Sequence, residues 1–191
     1  MKTEWIINTG YFDKIHCEQF IEVAKQLPVH DSEMVVDGKR ITNSQQRKTK
    51  IRWIDQTAQT QFIPIYLEFW KFLIDINNDW FGFNITHLPP LQFTEYTGED
   101  KSEYKSHMDT FWLTPTERHR KITVILQLSD PDSYEGGDLI LENVTKKPDA
   151  IKLRTQGTFI AFPSFYYHKL TPVTRGTRHS LVGWFEGPKF A

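Results

Sequence analysis

The sequence predicts a mainly β protein, a sandwich or jelly roll of short antiparallel strands with its helices confined to the N-terminal part. Turn clusters at Gly98-Glu99-Asp100, Ser129-Asp130-Pro131-Asp132, Gly136-Gly137, Lys146-Lys147-Pro148-Asp149 and Arg175-Gly176-Thr177 punctuate apolar runs from about Phe83 onward. Helical periodicity, in contrast, is confined to two segments before residue 85. With 191 residues, no internal repeat and no low-complexity linker, the chain reads as one domain over 1–191. Residues 1–85 would form a helical and lid-bearing support, and residues 86–189 the β core.

In order along the chain, Met1 to Pro28 suggests a short strand and then a helix from Phe12 to Leu27. In that helix Phe12, Ile15, Phe20, Ala24 and Leu27 recur at roughly helical intervals. His30 to Gln56 is polar and in places basic (Lys39, Arg40, Arg47, Lys48, Lys50, Arg52), with strand-like Met34-Val35-Val36 and Ile51-Arg52-Trp53-Ile54 inside it. Its length and irregularity make it a candidate substrate lid, and its charges fit a solvated face equally well. Thr57 or Thr60 is placed to cap a second helix whose core residues would be Phe62, Ile65, Tyr66, Phe69, Trp70, Phe72, Leu73, Ile76 and Trp80, with Asn77-Asn78-Asp79 as its frayed end. Among the strands, Ile122 to Leu128 alternates an aliphatic face (Ile122, Val124, Leu126, Leu128) with a mixed one (Thr123, Ile125, Gln127). The second suits a pocket wall.

The formal net charge of -1 and pI near 6.7 give no global argument for nucleic acid or a membrane surface. No apolar run approaches the roughly twenty residues of a membrane span, and Met1-Lys2-Thr3-Glu4-Trp5 lacks a signal-peptide stretch. Cys17 is the only cysteine, so no intrachain disulfide can form and a reducing, cytoplasmic setting is expected. Its expected role is that of a small helix-packing residue.

Chemistry concentrates in His107-Met108-Asp109. The flanking composition is that of extended chain, where residues i and i+2 point to one side, so His107 and Asp109 can share an ion while Met108 points away. His16-Cys17-Glu18 has the same spacing but lies in the first helix, where i and i+2 diverge, so it is rejected. His168 follows the apolar strand ending at Pro163. Ten residues later Arg178 shares a strand face with Ser180, Val182 and Trp184. Two imidazoles and one carboxylate on one side of an ion are the ligand set of open non-haem Fe(II) sites, and a structural zinc would want a fourth protein ligand that the sequence does not supply. Arg178 offers a planar fork for a carboxylate. His179 points away from it, and His30, His87 and His119 read as surface or loop residues.

From about Leu91 to Trp184 the chain resembles the catalytic core of the 2-oxoglutarate/Fe(II) dioxygenases, and most the prolyl 4-hydroxylase branch. The matching pieces are Tyr96…Gly98…Tyr104-x-x-His107-x-Asp109, the strand Ile122–Leu128, Tyr134-Glu135-Gly136-Gly137-Asp138-Leu139, and His168-x-x-x-Pro172-Val173-x-x-Gly176-x-Arg178. DNA and RNA demethylases of that superfamily place the arginine further past the distal histidine beside a second one. Arg175 is present here, but the spacing favours the hydroxylase branch. The resemblance implies a double-stranded β-helix buttressed by the N-terminal helices. It implies His107, Asp109 and His168 as ligands of Fe(II), Arg178 as the partner of the distal carboxylate of 2-oxoglutarate, O2 as co-substrate, and ascorbate as a candidate reductant. It also puts Tyr96, Gln127, Leu139 and Ser180 in the cosubstrate pocket, with Gln127 where relatives often carry Tyr. Tyr104 and Trp184 each read as pocket or core, and Phe111 and Trp112 as a substrate-facing pair or as loop packing, with the former preferred. The implied reaction is hydroxylation of a C–H bond with release of succinate and CO2. Its implied substrate is a prolyl residue of a protein or peptide, or a small molecule such as a free amino acid. Nucleic-acid demethylation and a silent metal-binding interaction module are the alternatives. Oligomeric state, monomer or homodimer, is left open.

Overall fold

The computed structural model describes residues 1–31, 33–36, 39–42 and 46–190, with side chains described outside 31–45. The part of the expected lid that falls on residues 32, 37–38 and 43–45 lies outside the described residues. In chain order the first half comprises β1 (Ile6–Asn8), α1 (Lys14–Lys25), β2 (His30–Asp31), β3 (Glu33–Val36), β4 (Lys39–Thr42), β5 (Lys50–Ile54), α2 (Ile63–Ile76) and β6 (Leu91–Thr97). Then follow β7 (Tyr104–His107), β8 (Arg118–Gln127), β9 (Tyr134–Gly136), β10 (Leu139–Leu141), α3 (Ala150–Arg154), β11 (Thr158–Pro163), β12 (His168–Leu170) and β13 (Val173–Pro188).

The strands form a major antiparallel sheet in the order β1-β11-β8-β13-β6-β5-β2, with β9 added to β13, and a minor sheet in the order β10-β12-β7; β3 and β4 pair as a hairpin. This is the jelly-roll architecture, with helices on the outer face of the major sheet. The long β13 organises it: its first residues pair with β9, Thr177–Val182 with β6, and Ser180–Pro188 with β8.

Alternation along the strands sorts the interior into two cores. Ile122, Val124, Leu126, Phe93, Phe159, Leu181 and Phe185 face α1 and α2, while Tyr96, Ile125, Ile160, Phe162 and Val173 face the minor sheet. Phe72 of α2 stacks on Phe159 with ring centroids 4.6 Å apart and planes 10° from parallel. Gly183 sits inside β13 because α2 presses there: a Cβ would lie 2.9 Å from both the Phe69 ring and Leu91.

Asp13 caps α1, its Oδ1 accepting from His16 N at 2.9 Å, and Cys17, Ile21 and Ala24 form the buried stripe. For α2 the expected threonine cap is not used. Thr60 opens a short 3-10 turn (Thr60–Phe62), and Pro64 starts α2, where a missing N–H costs nothing. Asn77-Asn78-Asp79 is a closed end, not a frayed one. It lies in a π-helical turn (Asn77–Phe81) in which the Asn77 side-chain amide bonds both N and O of Phe83 at 2.9 Å, with Gly82 left-handed at φ 72°. Trp80, expected in the core, lies on that turn and is 45% exposed.

Candidate active site

β7 and β12 are neighbours in the minor sheet, with His107 opposite His168 in register. Pairing on β7 ends at His107. Asp109 is held just beyond it by its own N–H and that of Thr110, which both donate to Ser164 O, at 2.8 and 3.0 Å. His107 Nε2 lies 3.7 Å from Asp109 Oδ1 and His168 Nε2 3.5 Å from Asp109 Oδ2, so one ligand atom from each residue falls within 4.8 Å of the others. Each imidazole places its Nδ1 against a backbone carbonyl, Lys105 O at 2.8 Å for His107 and Tyr166 O at 3.1 Å for His168. Those contacts suit the tautomer that would leave Nε2 free to ligate an ion. The Thr123 hydroxyl donates to Asp109 Oδ2 at 2.7 Å, with Ser164 Oγ 2.9 Å beyond it.

Protonation states suit a divalent cation. Burial first, and the neighbouring His168 second, push His107 down to about 4, so its imidazole is neutral. Burial alone would raise the Asp109 carboxyl. His168, His107, the Arg120 guanidinium and the Thr123 hydroxyl outweigh it and hold the group below its ordinary value. Two imidazole nitrogens and one carboxylate, with no fourth protein ligand among the described residues, fit an open-faced Fe(II) site better than a closed tetrahedral zinc.

A cavity opens beside this triad between the two sheets. Arg178 is 3% exposed in its wall, donates from Nη1 to Ser180 Oγ at 3.1 Å, and has no carboxylate partner among the described residues. A buried guanidinium without a counter-anion is a site for one. Tyr96 lies opposite Arg178 across β6 and β13, with its ring centroid 6.0 Å from the guanidinium carbon. Ser180 and Leu139 also line the cavity, and Ser180 Oγ lies 2.7 Å from Thr94 Oγ1. Gln127 does not line it; it is fully buried behind Ser180, where its Nε2 donates to Tyr134 Oη at 3.0 Å.

Tyr104 serves as both wall and packing: its ring stacks on His107 at 3.5 Å, and burial pushes its hydroxyl up to about 12. Trp184 lines the cavity, with the Arg120 guanidinium carbon 4.0 Å from its ring centroid. Phe111 lies 5.3 Å from the same guanidinium, whereas Trp112 packs against His119 and Phe190. His119 is buried, not a surface residue, because it sits inside β8 and its Nδ1 accepts from Phe190 N at 3.1 Å. His179 lies on the opposite side of the sheet from Arg178, 3.5 Å from the Glu95 carboxylate, and takes no part in the triad. Cys17 is buried, and burial pushes its thiol up to about 11, as befits a packing residue.

Three site residues have no local signal in the sequence. Thr123 was assigned only to a mixed strand face. Arg120, three residues earlier on β8, acts on the Asp109 carboxylate through its charge. Arg47 belongs to the polar segment, reaches the cavity from the far side, and donates to Gln92 Oε1 at 2.5 Å.

Fold and site together define a jelly-roll protein with a His-Asp-His cluster that could hold a metal ion and, in the cavity beside it, a buried arginine with no carboxylate partner among the described residues. Residues 91–186 match the model of the 2OG-Fe(II) oxygenase superfamily, half of the chain, and the chain belongs to that family. It is 37% identical over 102 residues to a PKHD-type hydroxylase of Crocosphaera subtropica; the match covers 51% of this chain and 43% of that protein, so the chain spans less than half the length of this relative. Its fold is shared with a Pseudomonas putida prolyl-4-hydroxylase at TM-score 0.70 and 20% identity, over 99% of this chain and 94% of the other. A prolyl hydroxylase of Trichoplax adhaerens, solved with a hypoxia inducible factor peptide fragment, superposes at TM-score 0.71 and 19% identity, over 96% and 83%. No described helix is long and apolar enough to cross a membrane.

Proposed function

We propose that this protein is a 2-oxoglutarate- and Fe(II)-dependent dioxygenase that hydroxylates a C–H bond of a prolyl residue in a peptide or protein. The observation that carries the cosubstrate is Arg178, buried and without a counter-anion among the described residues, in the same cavity as the His107-Asp109-His168 triad. His107 Nε2, Asp109 and His168 Nε2 would hold the metal, each oriented by the contact behind it. Arg178 would take the distal carboxylate of 2-oxoglutarate, leaving the keto-acid end to face the triad, and Tyr96, Leu139 and Ser180 would wall its chain. When bound, Fe(II) supplies activation of O2 coupled to decarboxylation of 2-oxoglutarate to succinate and CO2. Trp184 and Arg120 would close the side where substrate enters, keeping water from the reacting carbon. The prolyl assignment rests on the likeness to the prolyl hydroxylase branch.

Two measurements test the reading. Anaerobic titration of Fe(II) and 2-oxoglutarate into wild type should give the visible charge-transfer band of the chelate, and Arg178→Ala should need far more 2-oxoglutarate to reach it. Succinate formation with ascorbate present should then rise with proline-containing peptides and not with their alanine counterparts. No band in wild type would sink the oxygenase reading. Equal turnover with proline and alanine peptides would sink the prolyl one alone.

A further inference from the structure

The two histidines of the triad stand on strands whose pairing is irregular. Between β7 and β12 the register pairs are His107 with His168 and Tyr104 with Leu170, so three steps along β7 face two along β12. The extra residue makes a β-bulge, a device that re-aims side chains beside functional sites. Residues three apart on a regular strand point to opposite faces. Here Tyr104 and His107 share one face, with their rings stacked at 3.5 Å. A bulge also leaves part of the ladder unpaired, so the spacing of His107 and His168 needs support from elsewhere.

That support comes from the residues next to the ligands. Ser106 precedes His107, and its hydroxyl donates to Glu142 Oε2. Lys169 follows His168, and its Nζ lies 3.1 Å from Glu142 Oε1. One carboxylate, just past the end of β10, therefore grips both ligand strands, with one oxygen for each. Its own backbone is held: Glu142 N donates to Tyr167 O at 2.8 Å, and Lys147 Nζ donates to Leu141 O at 2.6 Å and to Glu142 O at 2.8 Å. From the other edge of β7, Gln46 Nε2 donates to Ser106 O at 3.2 Å, and Lys105 N donates to Gln46 O at 2.9 Å. The Glu142 and Lys169 side chains are 25% and 40% exposed, so as an isolated surface pair they would contribute little to stability. Their place beside the two ligands is what gives the pair consequence.

We propose that Glu142 is a positioning residue for the metal centre: its carboxylate ties Ser106 to Lys169 and so fixes the spacing of His107 and His168 across the bulge. This rests on the metal-site part of the reading above. The Nδ1 contacts of the two imidazoles go to Lys105 O and Tyr166 O, so Glu142 acts on the ion through the strands that carry its ligands.

The test is titration of Co(II), whose visible d–d bands report ligand geometry, into metal-free wild type and variants. These are Glu142→Ala, Glu142→Gln, Ser106→Ala, the Glu142→Ala/Ser106→Ala double variant, and Glu135→Ala, which removes an exposed carboxylate paired with Arg175. Glu142→Ala should weaken Co(II) about 3- to 10-fold and shift the bands, less than the loss of a group that touches a ligand directly. Glu142→Gln is isosteric, retains the fold and still offers Ser106 an acceptor, so it should lie between wild type and Glu142→Ala on both readouts. Ser106→Ala should weaken Co(II) by less than Glu142→Ala, and the double variant by no more than Glu142→Ala alone. Glu135→Ala should match wild type. Wild-type affinity and bands in Glu142→Ala, an equal loss in Glu135→Ala, or losses that multiply in the double variant would each overturn the proposal. Wild type that fails to bind Co(II) at all would overturn the metal-site reading, and the proposal with it.

Discussion

The same strands build both faces of the major sheet, yet the faces obey different rules. Toward α1 and α2, β8 presents Ile122, Val124 and Leu126, β11 presents Phe159 and Ala161, and β13 presents Leu181 and Phe185. Toward the minor sheet the intervening residues are Thr123, Gln127, Arg178 and Ser180 among a few apolar ones. On the helix side stability comes from shape and buried apolar area, which any well-fitting hydrocarbon supplies. On the cavity side each buried polar group needs a partner, and Arg178, buried there with no carboxylate beside it among the described residues, suits an anion. The helix-backed face thus acts as a platform that fixes strand positions, and the cavity face uses that rigidity to hold groups in place for chemistry.

The sharpest way to break this division is to damage the platform alone. Phe159 is fully buried, stacked on Phe72 and edge-on to Phe69 and Tyr11, with centroids 5.0 and 4.9 Å away. Phe159→Ala should cost about 3–5 kcal/mol of unfolding free energy in a denaturant titration. Metal affinity of the molecules that remain folded should stay unchanged. A large loss of affinity at conditions where the variant is fully folded would mean that the two faces are not separable.

The converse substitution is Thr123→Val, which keeps the shape and removes the hydroxyl that donates to Asp109 Oδ2. Metal affinity should fall about 10- to 100-fold, because the carboxylate loses the contact that orients it. Unfolding free energy should change by no more than about 1 kcal/mol, the cost of leaving Ser164 Oγ without that neighbour. Equal affinity in wild type and variant would show that Asp109 is positioned by its backbone ties alone.

This contrast also explains what was legible in the sequence. Strand alternation marks which residues share a face, so the platform, the His107/Asp109 pair and the Arg178–Ser180 row could all be read from period two. Contacts between strands depend on register, which no local pattern states. Thr123 meets Asp109, and Tyr134 meets Gln127, only because of how β7, β8, β9 and β13 are aligned. Arg47 reaches the cavity from a segment whose composition fits a lid and a solvated face equally. The end of α2 differs from its expected frayed state for a related reason: the Asn77 side chain closes the turn onto Phe83, six residues on, a contact that composition does not state.

The smallest expected effect concerns an island of charge on the platform face. Glu95 shares the Phe93 side of β6, with His179 Nε2 at 3.5 Å and Arg52 Nη1 at 3.6 Å, and the His179 ring stacks on Phe93. The His179 side chain first, then the Arg52 and Lys50 charges, hold the Glu95 carboxyl below its ordinary value of 4.5 despite partial burial. A carboxyl lowered in the folded state contributes stability that is present above the unfolded pKa and lost as pH falls through the folded one. Glu95→Gln should therefore cost about 1 kcal/mol at neutral pH, and the gap from wild type should close on acidification below about 4.5. Arg52 remains buried in the variant without its anion, so the cost reflects a stranded cation as much as a lost contact. A gap that stays constant down to the acid limit would mean that Glu95 acts by shape, like its apolar neighbours, and that the platform face follows one rule throughout.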